Sequence, residues 1–259
     1  MQYVKLAASN IVIGLIVFLS FYGCSNTVEP EVGTSSDEEM MKTIENLPKE
    51  DLSSNEETGL TYMREEEKLA RDVYITFYNT WGEKVFNNIS KAEQKHTDAI
   101  KALLEKYELE DPMEVDEFGV FKNKDLQDLY DSLIETGKQS LVDALNVGAT
   151  IEEIDILDLI KYKEQIDNED IIFVYDNLTR GSRNHLRAYV KNLKNQGVDY
   201  KPQYMSEEDF LAIINSEMER GHNGNKCGNG KGNSKGHGNG NGKGHGNGHG
   251  NGHKYGWGN

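Results

Sequence analysis

Leu60, Met63, Glu67, Ala70, Tyr74, Phe77 and Trp81 follow one another at alternating intervals of three and four, which lays them along one stripe of a helix. The rhythm returns in Phe86, Ile89, Glu93, His96, Ile100, Leu103 and Tyr107, and again in Leu141, Leu145, Gly148, Glu152, Asp155, Leu159 and Tyr162. A fourth run holds Ile171, Tyr175, Leu178, Ser182, His185 and Tyr189. Punctuation agrees with the periodicity. Pro112 discourages continuation of the second run, Ser140 is placed to cap the third, and the fourth lies between the capping candidates Asp167 and Asn168 and the stop at Gly197. No useful length alternates with period two, so no sheet is expected. Between the second and third runs, Pro112 to Gly137 is long enough to carry the chain across the molecule and contains a predicted short helix, Asp125 to Glu135. The pattern predicts an all-α domain over residues 58–216, an antiparallel four-helix bundle with one long crossover between its second and third helices.

Both ends leave this pattern. Lys5 precedes the apolar run Ile11 to Phe21, interrupted by Gly14 and Ser20 and followed by Gly23 and Cys24. That run is shorter than the roughly 20 apolar residues a bilayer span needs, and a small residue before a cysteine suits cleavage with lipidation. Residues 1–24 therefore read as a signal peptide with a lipobox-like end, and Cys24 as a lipidated N-terminus that anchors an exported, bacterial-type lipoprotein to a cell-envelope membrane. Residues 25–57, rich in Ser, Glu and Asp, read as a flexible tether. Residues 221–259 are mostly Gly, Asn, Lys and His and cannot bury enough surface to offset their conformational entropy, so a disordered tail is expected. Its His222, His237, His245, His249 and His253 are auxiliary metal-binding candidates, since imidazoles on a mobile chain take borderline metals; a solvated tail without a role is the alternative. With Cys24 lipidated, Cys227 has no intrachain partner, so disulfides add nothing to the fold. A formal charge of −16 argues against a nucleic-acid partner.

The chemistry lies where the seams are interrupted. A lone acid in an apolar stripe is ordinarily a side chain that escapes sideways to water. Here Glu67, Glu93, His96, Glu152, Asp155 and His185 all interrupt a seam near mid-helix, where an antiparallel bundle would gather them at one level. Burying four unpaired carboxylates would cost several kcal/mol each or force them to protonate. Two divalent ions balance the four negative charges and leave two neutral imidazoles as further ligands. Glu93 and His96 form Glu-x-x-His, whose spacing puts both side chains on one helix face. Glu66 and Glu153 are reserve ligands if either helix is rotated by one residue. An oxygen and nitrogen shell without sulfur suits Fe or Mn, with Zn as a structural alternative.

Four segments resemble rubrerythrin: EEKLARDVY (Glu66 to Tyr74), FNNISKAEQKH (Phe86 to His96), IEEID (Ile151 to Asp155) and HLRAY (His185 to Tyr189). More closely, REEEKLARDVY, DLYDSLIETGKQSLVDALNVGATIEEIDILDL and LTRGSRNHLRAYV resemble the ferritin-like family known as domain of unknown function 2202, over most of Leu60 to Ile214. The resemblance implies a ferritin-like fold and a di-iron or di-manganese carboxylate site. One departure stands out: where ferritin-like enzymes carry a second Glu-x-x-His, this chain has Ser182-Arg183-Asn184-His185, so either Asp155 supplies the missing carboxylate or one of the two ions is held weakly. Three functions follow as expectations. The first is a peroxide- or oxygen-reducing, or ferrous-oxidising, oxidoreductase; the second a non-catalytic metal-capture module at the cell surface; the third a structural domain with a degenerate site. Metal ions and the anchoring membrane are the expected partners, and a homodimer is left open.

Overall fold

Each apolar seam becomes a buried helix face. The computed structural model describes residues 36–220, which hold seven α-helices and no strand. They are α1 (Ser36–Asn46), α2 (Ser54–Trp81), α3 (Lys84–Tyr107), α4 (Lys124–Gly137), α5 (Leu141–Lys163), α6 (Glu169–Asn195) and α7 (Glu207–Ile214). The four periodic runs are α2, α3, α5 and α6, and the expected short helix of the crossover is α4. Helix α2 packs on α3 and α5, and α6 packs on the same two, so the four long helices close a ring around their seams. No helix among the described residues is long and apolar enough to cross a membrane. The leader, Cys24 and the tail histidines lie outside the described residues.

Capping fixes the helix starts. Ser53 Oγ accepts from the Glu56 amide while the Glu56 carboxylate accepts from the Ser53 amide, a reciprocal pair of a kind that contributes about 1 kcal/mol. The other Glu56 oxygen accepts from the amides of Asp167 and Asn168 at 3.3 Å, tying the start of α2 to the start of α6. Gly82, with φ +72°, ends α2 by returning its amide to the Tyr78 carbonyl, and leaves a two-residue link that turns the chain directly into α3.

The packed interior falls into two apolar clusters, and the polar seam residues lie between them. Leu60, Met63, Ile100, Leu103, Leu159, Ile171 and Leu178 belong to one cluster. Val73, Tyr74, Phe77, Phe86, Ile89, Leu145, Leu186 and Tyr189 belong to the other. Along α2, α3 and α6 the change of cluster falls at Glu67, at Glu93 to His96, and at Ser182 to His185 respectively. Each fully buried Leu or Phe contributes roughly 1.5–3 kcal/mol, so the two clusters hold the polar layer in register from both sides.

The opposite face of α2 clamps the crossover. Arg64 grips Asp111 through two bonds of 3.0 Å and donates to the Thr97 carbonyl. The fully buried Lys68 pairs with Asp72 at 2.6 Å, donates to the Glu117 carbonyl and sits 4.3 Å over the Phe121 ring. Arg71 joins Asp72 to Asp116, and Glu65 accepts from the amides of Lys122 and Asn123. Residues 111–123 are therefore held by side chains rather than by secondary structure.

One stretch differs from the sequence expectation. The second half of the segment read as a flexible tether holds α1, which packs on α3 and α6 with Ile44 buried, and Lys106 donates to the carbonyls of Ile44 and Leu47. A helix of 11 residues is not stable alone; its order comes from docking, which composition does not report. Beyond Gly197 the chain forms α7, whose Phe210 is buried against Tyr200.

Candidate metal centre

Four helices deliver acids and imidazoles to the layer between the two clusters. Glu67 comes from α2, Glu93 and His96 from α3, Glu152 from α5 and His185 from α6. Their donor atoms gather into two triads, Glu67–Glu93–His96 and Glu93–Glu152–His185, and within each triad the atoms lie within 4.8 Å of one another. Glu93 belongs to both. Its Oε2 lies 2.7 Å from His96 Nδ1, and its Oε1 lies 2.8 Å from His185 Nδ1. Glu67 Oε2 is 3.1 Å from His96 Nδ1, and Glu152 Oε2 is 3.4 Å from His185 Nδ1. The two imidazoles stack with centroids 5.6 Å apart. Their side chains are 11% and 12% exposed, against 1–2% for the three glutamates, so they form the edge of the site nearest solvent.

Several of these atoms lack protein hydrogen bonds. Glu67 Oε1, Glu93 Oε1 and His185 Nδ1 are buried without one; the close approach of the last two places the atoms together but not at a hydrogen-bonding angle. Buried polar groups are almost always paired, and a cluster of unpaired oxygens beside an imidazole nitrogen is the donor set that Fe, Mn or Zn takes. Electrostatics point the same way. Burial pushes the Glu67 carboxyl up to about 7 even though His96 pulls it down. Burial, then Glu93, raises Glu152. Burial would also raise Glu93, but His185 and His96 outweigh it and hold its carboxyl well below the usual range. The imidazoles respond in kind: burial opposes their charge, yet Glu93 and Glu152 lift His185 to about 10, and Glu67 and Glu93 lift His96 well above its ordinary value. Without a cation the centre must hold protons on its ligands; a pair of divalent ions would replace them.

Neighbouring residues set the ligand geometry. Tyr74 donates to Glu152 Oε1 at 2.6 Å, fixing that carboxylate. Gly181 lies against His96: a methyl group there would fall 2.6 Å from His96 Nε2, so the absence of a side chain is what lets the ring lie on α6 with Nδ1 turned toward the acids. Gly148 makes the same allowance for Tyr189, whose ring packs 5.3 Å from Tyr74.

Not every sequence candidate joins the triads. Asp155 is buried in the same layer but belongs to neither; its Oδ2 accepts a short hydrogen bond from Ser182, and its Oδ1 has no partner. Ser182, which stands where the sequence comparison expected a second carboxylate on α6, is thus bonded to Asp155. Glu153 is not a reserve ligand. It accepts from Tyr200 and from the amides of Gln203, Tyr204 and Met205, so it holds the loop between α6 and α7. Being one residue from Glu152, it points about 100° around the helix, away from the seam. Glu66 is buried beside the centre but outside both triads. Tyr74 and Gly181 are the residues the seam pattern did not single out as ligand supports; Tyr74 occupies a core position, and the space beside Gly181 is visible only in three dimensions.

The uncharacterized protein MJ0754 of Methanocaldococcus jannaschii is 55% identical over 184 residues, which are 71% of this chain and 100% of that protein. The crystal structure of the hypothetical protein MJ0754 from Methanococcus jannaschii aligns with a TM-score of 0.66 at 55% identity, covering 67% of this chain and 99% of that chain. The model of the uncharacterized protein domain DUF2202 matches residues 56–217, a span that contains every residue of both triads and all of the four-helix ring but the first two residues of α2. The chain is a member of the DUF2202 family.

Proposed function

We propose that the ring of four long helices is a ferritin-like bundle built around a two-metal carboxylate centre, with Glu93 as the bridge between the ions. The observation that carries this reading is the sharing of Glu93 by two triads, each composed of two carboxylates and one imidazole. On this assignment Glu67 and His96 complete one ion's protein ligands, and Glu152 and His185 complete the other's. Asp155 is the remaining carboxylate of the layer, giving four acids against the charge of two divalent ions. Iron or manganese fits an oxygen-rich shell with imidazole, and Zn fits if the centre is structural.

The chemistry proposed is that of a peroxide- or oxygen-reducing, or ferrous-oxidising, oxidoreductase. A pair of such ions supplies redox equivalents and a Lewis-acidic place for an oxygen ligand. The chain's own residues confine that chemistry. The two apolar clusters keep water from the layer, and Tyr74 holds a proton at Glu152 Oε1. The partly exposed imidazole edge is the side from which a small oxidant would reach the centre. The leader and Gly23-Cys24 support placement of this domain outside the cell membrane on a lipid anchor, and the five tail histidines would collect metal there.

The test is metal-loaded, full-length protein purified without a histidine-affinity step, assayed for peroxide consumption and ferrous oxidation beside His96→Ala. Turnover by the parent that is lost in the variant supports the oxidoreductase. Tight loading without turnover assigns the domain to metal capture, and failure to load in either protein returns it to a structural role.

A further inference from the structure

Between α6 and α7 lies a groove of about 630 Å³, a volume in the range that small-molecule sites occupy, and none of the residues lining it belongs to either triad. Its floor is apolar. Val190, Val198 and Ile214 pack there on the cluster that holds Tyr74 and Tyr189, together with the buried Phe210, and Leu211 extends the apolar surface into water at 43% exposure. Its rim is basic. Arg187, Lys191 and Lys194 follow at intervals of four and three and so share one face of α6, and Lys201 stands on the loop that leads to α7. The lining holds two acids, Asp199 and Glu207, against these four cations, although the chain as a whole carries −16. Arg187 is bonded to Glu219, and Lys194 lies 3.8 Å from Asp199, whereas Lys191 and Lys201 pair with no acid among the described residues. The walls are set in advance. Glu153 accepts from Tyr200 and from the amides of Gln203 and Tyr204, Arg187 donates to the Ile213 carbonyl and to Ser216, and the Tyr200 ring packs 5.7 Å from Phe210. A ligand would therefore lose little binding energy to ordering its site.

An apolar floor with two unmatched cations beside it selects for a ligand with an apolar body and one negative end. A compact inorganic anion would leave the floor wet, and a neutral apolar ligand would leave Lys191 and Lys201 without a partner. Residues 221–259 of the chain, with five lysines and no acidic side chain, would be repelled by the same rim. We propose that the groove binds a small single-chain carboxylate amphiphile, its chain against Val190, Val198, Phe210, Leu211 and Ile214 and its carboxylate at Lys191 and Lys201. The site is separate from the two-metal centre and stands whether or not that centre holds metal.

Full-length protein is titrated calorimetrically with sodium hexanoate, octanoate and decanoate, each below its micelle-forming concentration, and with sodium acetate. Saturable binding is expected, tightening by up to about fourfold for each added methylene as the chain covers the floor. Replacing Lys191→Gln and Lys201→Gln together should weaken decanoate binding by about tenfold, since both charged donors to the carboxylate are lost. Leu211→Gln keeps the lysines and should flatten the dependence on chain length. Both variants change exposed side chains, so their melting curves should match the parent's. The proposal is overturned if decanoate gives no saturable heat, or if acetate binds as tightly as decanoate, which would leave a simple anion site. Equal decanoate affinity in the parent and the lysine variant would also overturn it, because the carboxylate would then be held elsewhere, on the lysines of residues 221–259 or at the metal centre.

Discussion

Replacing Gly181 by Ala isolates the ligand geometry from the fold. The new methyl group would sit 2.6 Å from His96 Nε2 and 2.8 Å from Cε1, where an ordinary contact begins near 3.4 Å, so the ring must retreat by about 0.8 Å. Metal-ligand distances tolerate only about 0.2 Å of error, and loss of a supporting contact at a metal site lowers affinity about 10–100-fold, or roughly 1.4–2.7 kcal/mol. The backbone effect runs the other way. Ala is about 1 kcal/mol more favourable than Gly inside a helix, so the metal-free variant should melt at or above the parent's temperature. Melting curves with and without manganese(II), together with a competition titration for affinity, read the two effects separately. The reasoning is refuted if affinity is unchanged. It is equally refuted if the metal-free Tm falls by several degrees, which would mean that α6 rather than the imidazole has moved.

Lys68→Ala should destabilise the protein by about 1.5–3 kcal/mol in urea unfolding, because it removes one charged partner of the fully buried Asp72, which keeps Arg71 and the Gly119 amide, and releases the Glu117 carbonyl; a loss under about 0.5 kcal/mol would contradict this. Glu108 ends α3 with φ 59°, a left-handed conformation that favours glycine, so Glu108→Gly should stabilise by about 1 kcal/mol despite loss of the exposed pair with Lys49. Hydrogen bonds from Arg183 and then Arg187 lower the Glu219 carboxyl to about 2 from an ordinary 4.5. A depressed carboxyl stabilises the folded state above its unfolded pKa and loses that contribution as pH falls through its folded value. Amide exchange at Glu219, whose N–H donates to Asn184, should therefore lose protection between pH 4.5 and about 2; protection that persists below that window would contradict the assignment.

What the sequence makes legible here is what repeats with the helical period. Glu67, Glu93, His96, Glu152 and His185 interrupt seams that the structure turns inward, and they meet because Gly82 and the short connection after Lys163 return the chain so that mid-helix positions fall at one level. The partition of neighbouring acids was less legible. Glu152 and Glu153, or Glu66 and Glu67, differ by a single step around a helix, and only packing decides that Glu153 binds loop amides while Glu152 faces the imidazoles. Lys68, Arg71 and Asp72 are hidden for a different reason: charges on the far face of an amphipathic helix ordinarily face water, and their burial depends on the irregular loop that covers them. Helix α1 has the same origin, since Ile44, with Met40 and Met41 beside it, is the buried anchor of a segment rich in acids.

The central claim is that Glu93 bridges two ions. Electron paramagnetic resonance of full-length protein loaded with manganese(II), compared with Glu93→Gln, tests it most directly. The account predicts an exchange-coupled spectrum from a pair of ions in the parent and only isolated-ion signals in the variant; isolated-ion signals in the parent, or a coupled pair that survives Glu93→Gln, would contradict it.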